Sequence, residues 1–140
     1  MRQQKMRSAE QVEAEARAAT LQNIGASLVV LCPQIETLFE QLQGLIYDAM
    51  QANGFWADSV TFGDKIALLH SELSEALEAD RKQILNDDKI PEFTGVEAEF
   101  ADTLIRLLDT AGRYDMRLGE AFVAKMLVNL QRPYKHGKQY

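Results

Sequence analysis

Apolar side chains recur every three or four residues along most of the chain, and no alternation of apolar and polar residues lasts long enough to form a strand. A spacing of three and four places the apolar positions on one face of an α-helix. The three prolines, Pro33, Pro91 and Pro133, lie where these patterns begin or end. Because proline interrupts helical hydrogen bonding, we expect helix boundaries there. The sequence predicts an all-α fold.

The pattern divides into a leader segment and four core segments. A leader helix is predicted from about Ser8 to Leu31, and a first core helix is predicted after Pro33 with its end at Asn53-Gly54. Three further core helices are predicted, from after Thr61 to about Leu85, from Pro91 or Thr94 to Gly112, and from Leu118 to Pro133. The expected architecture is a four-helix bundle with an extra N-terminal helix.

The apolar stripe of each core helix is expected to be buried. On the second and third core helices the stripes comprise Ile66, Leu69, Leu73, Ala76 and Leu77, and Val96, Phe100, Leu104, Leu107 and Ala111. We interpret residues 1–31 as an N-terminal helical extension and residues 32–140 as the functional domain. Four short helices usually complete their core by pairing, so a homodimer or a dimer of dimers is expected.

Composition narrows the function classes. The chain has 140 residues, 46% of them apolar, and a formal net charge of −6, which argues against a protein that coats a nucleic acid polymer. Cys32 is the single cysteine, so neither an intrachain disulfide nor a thiolate zinc site is expected. The apolar run from Ile24 to Cys32 is shorter than the ~20 residues of a membrane helix. We therefore expect a cytoplasmic protein with no membrane partner.

Two pairs of carboxylates are candidate metal ligands. Glu72 and Glu75 are three residues apart, and so are Glu99 and Asp102, so each pair lies on one face of its helix. Two such helices side by side would collect four acids, whose repulsion a hard divalent cation offsets. Mg²⁺ is the natural ion, with Mn²⁺ as a substitute. Di-iron is disfavoured because no Glu precedes a His by three residues.

Spacing alone leaves a second interpretation open. Pairs of acids three apart are common on solvated helix faces, where basic residues neutralise them. The available partners are Lys65, Arg81 and Arg106. Asp109 continues the face that carries Asp102, and we expect it to pair with Arg106 or Arg113 rather than to bind metal.

A basic group lies near the C-terminus. Lys125, Asn129 and Arg132 are spaced as i, i+4 and i+7, which aligns them on one helix face. Lys135, His136 and Lys138 follow them in the sequence. In an acidic protein such a group can hold a polyphosphate, although basic residues at a helix end also complement the helix dipole. A direct chemical role for His136 is not expected.

Three ordered blocks carry a family resemblance. The segment from Gly63 to Ala79, which contains Glu72-x-x-Glu75, resembles the first motif of the all-α NTP pyrophosphatases, in particular the MazG-like group. Glu99-Phe100-Ala101-Asp102 resembles the second motif. The segment from Lys125 to Lys138 is similar to the C-terminal pattern of small members. Residues 1–31 lie outside the resemblance.

The resemblance implies a chemistry. By analogy, the four acids hold Mg²⁺ and a water attacks the α-phosphorus of a nucleoside triphosphate, giving monophosphate and pyrophosphate in nucleotide-pool housecleaning. Glu75 is the first candidate for the general base and Glu72 the second, and Trp56 is expected to pack on the base. Two rivals are a helical dimer that binds nucleotide or metal without turnover, and a phosphohydrolase that releases orthophosphate.

Overall fold

The computed structural model describes residues 8–134, and the regular structure of this range is entirely helical. The four helices are α1 (Ala9–Ala52), α2 (Phe62–Lys82), α3 (Gly95–Arg113) and α4 (Leu118–Leu130). No strand occurs among these residues, so the all-α prediction is confirmed. The candidate residues Lys135, His136 and Lys138 lie outside the described range.

The expected break at Pro33 is wrong, because α1 runs through this proline as one helix of 44 residues. A proline removes one helical N–H and crowds the preceding turn, but helix propagation on both sides contributes a bond for each residue fixed. The side-chain amide of Gln34 lies 3.1 Å from Val30 O and Leu31 O, a distance at which its nitrogen would donate to both carbonyls. The leader and the first core segment are therefore a single element.

The described residues form two compact units. One unit comprises residues 8–37 together with residues 119–134, and the other is Leu38–Leu118. The boundary between them falls inside α1, whereas the sequence interpretation divides the chain after residue 31. That functional division of the chain remains a prediction.

Local sequence sets the ends of α2 and α3. Thr61 Oγ1 accepts a hydrogen bond from Asp64 N, and the Asp64 carboxylate accepts one from Thr61 N at 2.8 Å. Thr94 and Glu97 form the same reciprocal arrangement at the start of α3. These capping boxes satisfy N–H groups that a helix start leaves unpaired. Helix α2 ends where Gln83 adopts a left-handed conformation, with φ 52°.

Helices α2 and α3 pack against each other through small residues. Ala76 and Ala79 of α2 and Ala98 of α3 are buried, and small side chains at a contact bring helix axes close together. A Cβ on Gly95 would lie 3.1 Å from the Cβ of Ala79. The first residue of α3 therefore approaches the last turns of α2 so closely that an added Cβ would require its neighbours to shift by a few tenths of an ångström.

A second close approach joins α3 to the later part of α1. A Cβ on Gly112 would lie 2.6 Å from Gln43 O and 2.8 Å from the Cβ of Tyr47. The buried Gln43 side chain donates from Nε2 to Met116 O at 2.9 Å. Gly112 thus allows backbone contact between the two helices.

The expected burial of the apolar stripes is largely wrong within a single chain. Phe100 is 57% exposed, Leu77 50% and Leu104 49%. The buried residues of α2 and α3 are instead small residues, Leu108 and a set of polar residues, namely Lys65, Glu72, Asp109 and Thr110. Because these occupy the interior, the side chains of Phe100, Leu77 and Leu104 remain half exposed.

Helix α1 also meets the length and composition of a membrane span, which the sequence interpretation did not foresee. An 18-residue window in it has a mean hydropathy of 1.3, and none of that window is buried. Signal sequences and core helices of soluble proteins meet the same criteria. The feature is a weak indication, and the expected lack of a membrane partner remains a prediction.

Gly112→Ala should lower the free energy of unfolding by about 1–3 kcal/mol, because the added methyl meets the Gln43 carbonyl and forces the helices apart. Gly44→Ala is the matched control, since a Cβ there has no neighbour within 4 Å among the described residues. It should stabilise the protein by about 0.5–1 kcal/mol through helix propensity. Urea unfolding of both variants tests this, and equal effects would contradict the close approach.

Candidate metal centre and adjoining cavity

Three carboxylates meet where α2 and α3 pack together. Oxygen atoms of Glu72, Glu75 and Glu99 all lie within 4.8 Å of one another. The three differ in exposure, since Glu72 is buried, Glu99 is intermediate and Glu75 is exposed. We call these residues the acid cluster. Three of the four predicted metal ligands are thus brought together.

Asp102, the fourth predicted ligand, is not one of the three that meet this distance. It is exposed on α3, and its charge contributes to raising the pKa of Glu99. It also lines a cavity next to Arg106 and Asp109. Asp102 therefore lies between the acid cluster and this cavity, and its role as a ligand remains a prediction.

Burial and neighbouring charge act together on Glu99. Desolvation is the largest cause of its pKa being raised above the ordinary value of 4.5, followed by the charge of Glu75 and a hydrogen bond with Glu72. Each of these disfavours the ionised carboxylate. Oxygen donors arranged in this way suit a hard cation such as Mg²⁺ or Mn²⁺, which would remove the repulsion.

One member of the acid cluster already has a positive partner. Arg106 Nε donates to Glu72 Oε1, and the Glu72 side chain is only 5% exposed. The salt-bridge interpretation of the sequence therefore holds for Glu72. This salt bridge does not account for Glu75 and Glu99, whose carboxylate oxygens lie within 4.8 Å of that of Glu72.

A second buried ion pair was not predicted. Lys65 Nζ lies 3.0 Å from Asp109 Oδ2, and Trp56 Nε1 donates to Asp109 Oδ1 at 2.7 Å. The expected pairing of Asp109 with Arg106 or Arg113 is therefore wrong. Spacing offered a signal, because Lys65 precedes Glu72 by seven residues and Asp109 follows Asp102 by seven, which places each pair on one helix face.

Trp56 is enclosed by aromatic and cationic groups. Its ring makes edge-on contacts with Tyr47 and Tyr114, with centroids 6.1 and 6.5 Å apart. The Lys65 ammonium lies 3.6 Å from the ring centroid, and the Arg113 guanidinium lies 5.5 Å from it. A cation therefore already interacts with the indole face. The expected packing of Trp56 on a nucleobase remains a prediction.

A cavity of about 480 Å³ is lined by Arg106, which is bonded to Glu72 of the acid cluster. We call it the side cavity. Its apolar lining includes Met50, Phe55, Val60, Leu68 and Ile105, and its charged lining comprises Asp58, Lys65, Asp102, Arg106 and Asp109. This volume and this mixture of walls are typical of small-molecule sites.

The predicted basic group belongs to the other compact unit. Lys125 and Asn129 lie on α4, but Arg132 lies in the turn after Leu130, so the expected single helix face is wrong for Arg132. The following residue is Pro133, which disfavours helical geometry in the residue before it. The Asn129 Oδ1 atom is buried and accepts no hydrogen bond from the described residues. Binding of phosphate by these residues remains a prediction.

Comparisons of the chain with protein-family models, curated proteins and solved structures gave no match.

Glu99→Gln should stabilise the metal-free protein at neutral pH. Because the native state holds the Glu99 proton more tightly than the unfolded state, wild-type stability falls as pH rises from 4.5 through the raised pKa. The gain should vanish near pH 4.5, and excess Mg²⁺ should reverse the order, since metal binding stabilises the folded wild type. Thermal melts in EDTA and in Mg²⁺ across pH 4–8 test this.

Glu97→Gln on the same helix is the matched control. Thr94 hydrogen bonds lower the pKa of Glu97, so its contribution is present above 4.5 and is lost as pH falls through the lowered pKa. This variant should be destabilised at neutral pH, equally with and without Mg²⁺. If the stabilities of Glu99→Gln and Glu97→Gln depended on pH and Mg²⁺ in the same way, the closeness of Glu99 to the other acids would have no effect on stability.

Proposed function

We propose that the chain is a Mg²⁺-dependent nucleoside triphosphate pyrophosphohydrolase of the MazG-like, all-α type. The reaction converts an NTP or dNTP and water to the monophosphate and pyrophosphate, as nucleotide-pool housecleaning in the cytoplasm. The observation that carries the proposal is the acid cluster, with three carboxylates within 4.8 Å, and near it is a cavity of about 480 Å³ whose wall includes Asp102 and Arg106. Two capped helices hold these acids in place.

Glu72, Glu75, Glu99 and Asp102 are the residues that would hold the ion. When bound, Mg²⁺ or Mn²⁺ neutralises the triphosphate and acidifies water. The acids orient that water towards the α-phosphorus, where a P–O bond to water forms and the bond to the β-phosphate oxygen breaks. The electron pair of that bond leaves with pyrophosphate, and the water proton passes to a carboxylate.

Glu75 is the better candidate for this carboxylate. A general base must take a proton and return it to solvent, and Glu75 is the exposed member of the acid cluster. Glu72 is buried and bonded to Arg106, which suits a fixed ligand. Glu75 therefore stays the first choice for the base and Glu72 the second.

Substrate contacts complete the proposal. Lys125 and Arg132, with Lys135 and Lys138, would neutralise the polyphosphate, and Asn129 would donate its amide N–H to it. Support comes from the exposure of Lys125 and Arg132. Trp56 would contribute to the pocket for the base. A nucleic acid polymer is not expected to bind, given the net charge of −6.

The alternative is a helical dimer that binds nucleotide or metal without turnover. One observation favours it, namely that Arg106 already neutralises Glu72 without a metal. An ion pair that only stabilises the fold would leave fewer ligands for catalysis. Product analysis separates the two functions.

With Mg²⁺ or Mn²⁺, the purified protein should convert at least one triphosphate of a canonical and modified panel to monophosphate and pyrophosphate. Glu75→Gln and Asp102→Asn should each reduce kcat at least 100-fold, an effect typical of losing a base or a metal contact. Glu78→Gln, in an exposed salt bridge with Lys82, is the matched control and should retain activity. Orthophosphate as first product, or no turnover across the panel, would refute the assignment.

We also propose that the exposed apolar residues of α2 and α3 pair two chains. Leu73, Leu77, Phe100 and Leu104 are each 47–57% exposed, and exposed apolar patches mark association sites. Leu104→Glu should halve the mass measured by light scattering, because the new carboxylate would be desolvated in the interface. Leu85→Glu, at a residue 73% exposed after α2, is the control. A monomeric wild type would contradict the pairing.

A further inference from the structure

The side cavity has a buried ion pair in its wall. Lys65 and Asp109 both line the cavity, yet their side chains are only 6% and 5% exposed. Removing two charges from water costs several kcal/mol per ion, which their attraction only partly repays. The exposed pair of Lys82 and Glu78 avoids that cost. A buried pair beside a cavity is therefore a candidate for function rather than for stability alone.

The contacts of Lys65 leave part of its bonding capacity available. An ammonium has three N–H donors, and among residues 8–134 its hydrogen bond is to Asp109 Oδ2, with the Trp56 ring 3.6 Å away. Asp109 uses its two oxygens for Lys65 and for Trp56 Nε1. Asp109 and Trp56 thus hold the ammonium at the cavity wall, while a donor remains for a ligand.

The cavity places this charged donor among apolar walls. Met50, Phe55, Leu68 and Ile105 supply those walls, and a hydrogen bond from a charged group is stronger than one between neutral groups. Arg106 lines the cavity and is also bonded to Glu72 of the acid cluster. Because Arg106 contacts both, a nucleotide with its phosphates at the acid cluster would lie beside the cavity.

We propose that Lys65 is a substrate-binding residue that donates a hydrogen bond to an acceptor oxygen of the nucleotide, with Asp109 and Trp56 as positioning residues. The acceptor is either a carbonyl oxygen of the base or a phosphate oxygen. In this arrangement Trp56 acts through Lys65, and Phe55 is the aromatic residue that lines the cavity. The inference rests on the proposed function, since it concerns the same substrate.

The test uses the full chain and a double variant, Lys65→Met with Asp109→Asn, which removes both charges and leaves no unpaired buried ion. Two ligands are compared, the α,β-methylene analogues of dTTP, whose base has carbonyl groups, and of dATP, whose base has none. Calorimetry with Mg²⁺ measures binding without turnover, and kcat and KM are measured for dTTP and dATP themselves. Lys82→Met is the matched control.

The double variant should bind its ligand about 10- to 100-fold more weakly, the range for a hydrogen bond to a charged group, with kcat changed much less than KM. A loss confined to dTTP assigns the contact to a base carbonyl. An equal loss for dTTP and dATP assigns it to a phosphate. Trp56→Phe should show the same pattern to a smaller degree, because Asp109 loses one donor. Lys82→Met should match the wild type.

Wild-type affinity in a folded double variant, verified by its thermal melt, would overturn the proposal. If the double variant does not fold, Trp56→Phe decides, and an unchanged KM in that variant overturns the positioning role. If the wild-type protein binds both analogues but releases no pyrophosphate from dTTP or dATP, the enzyme assignment is refuted. The calorimetry with the double variant then decides the Lys65 contact by itself. Wild-type protein that binds neither analogue would overturn both.

Discussion

Carboxylates on two helices can approach within 4.8 Å only if the helix backbones come close together, and small residues make this possible between α2 and α3. Ala79 and Ala98 are buried at their contact, and a Cβ on Gly95 would lie 3.1 Å from the Cβ of Ala79. Larger residues would separate the axes. The separation would take Glu99 away from Glu72, which removes both the raised pKa and the candidate ligand set.

This close contact also determines which charges are buried. Glu72 bonds to Arg106, and Lys65 bonds to Asp109, so the unit Leu38–Leu118 holds two ion pairs at helix surfaces that usually carry apolar residues. Such pairs contribute little net stability but are costly to break singly. Glu75 is the exposed acid beside them. The interior of this unit therefore contains fixed ion pairs next to a cavity in place of part of an apolar core.

The large apolar residues complement this arrangement. Leu73, Leu77, Phe100 and Leu104 of α2 and α3 are half exposed. If two chains pair through them, the core that one chain lacks is supplied by its partner, and the acid cluster keeps its polar surroundings. Assembly and catalysis would then depend on opposite faces of the same helices.

The sequence by itself determined the features that depend on near neighbours. Helical periodicity predicted the all-α class, Thr94 was one of two expected starts of the third core helix and is its N-cap, and three-residue spacing placed Glu72 beside Glu75 on one face. Only the tertiary structure decided that α1 continues through Pro33, that Asp109 pairs with Lys65, and which faces are buried. Spacing placed Lys65 and Asp109 on helix faces, but their pairing and the choice of buried faces depend on contacts between residues distant in sequence, whose energies override local preferences. The continuation of α1 through Pro33 depends on helix propagation on both sides of the proline, which outweighs the local cost of that residue.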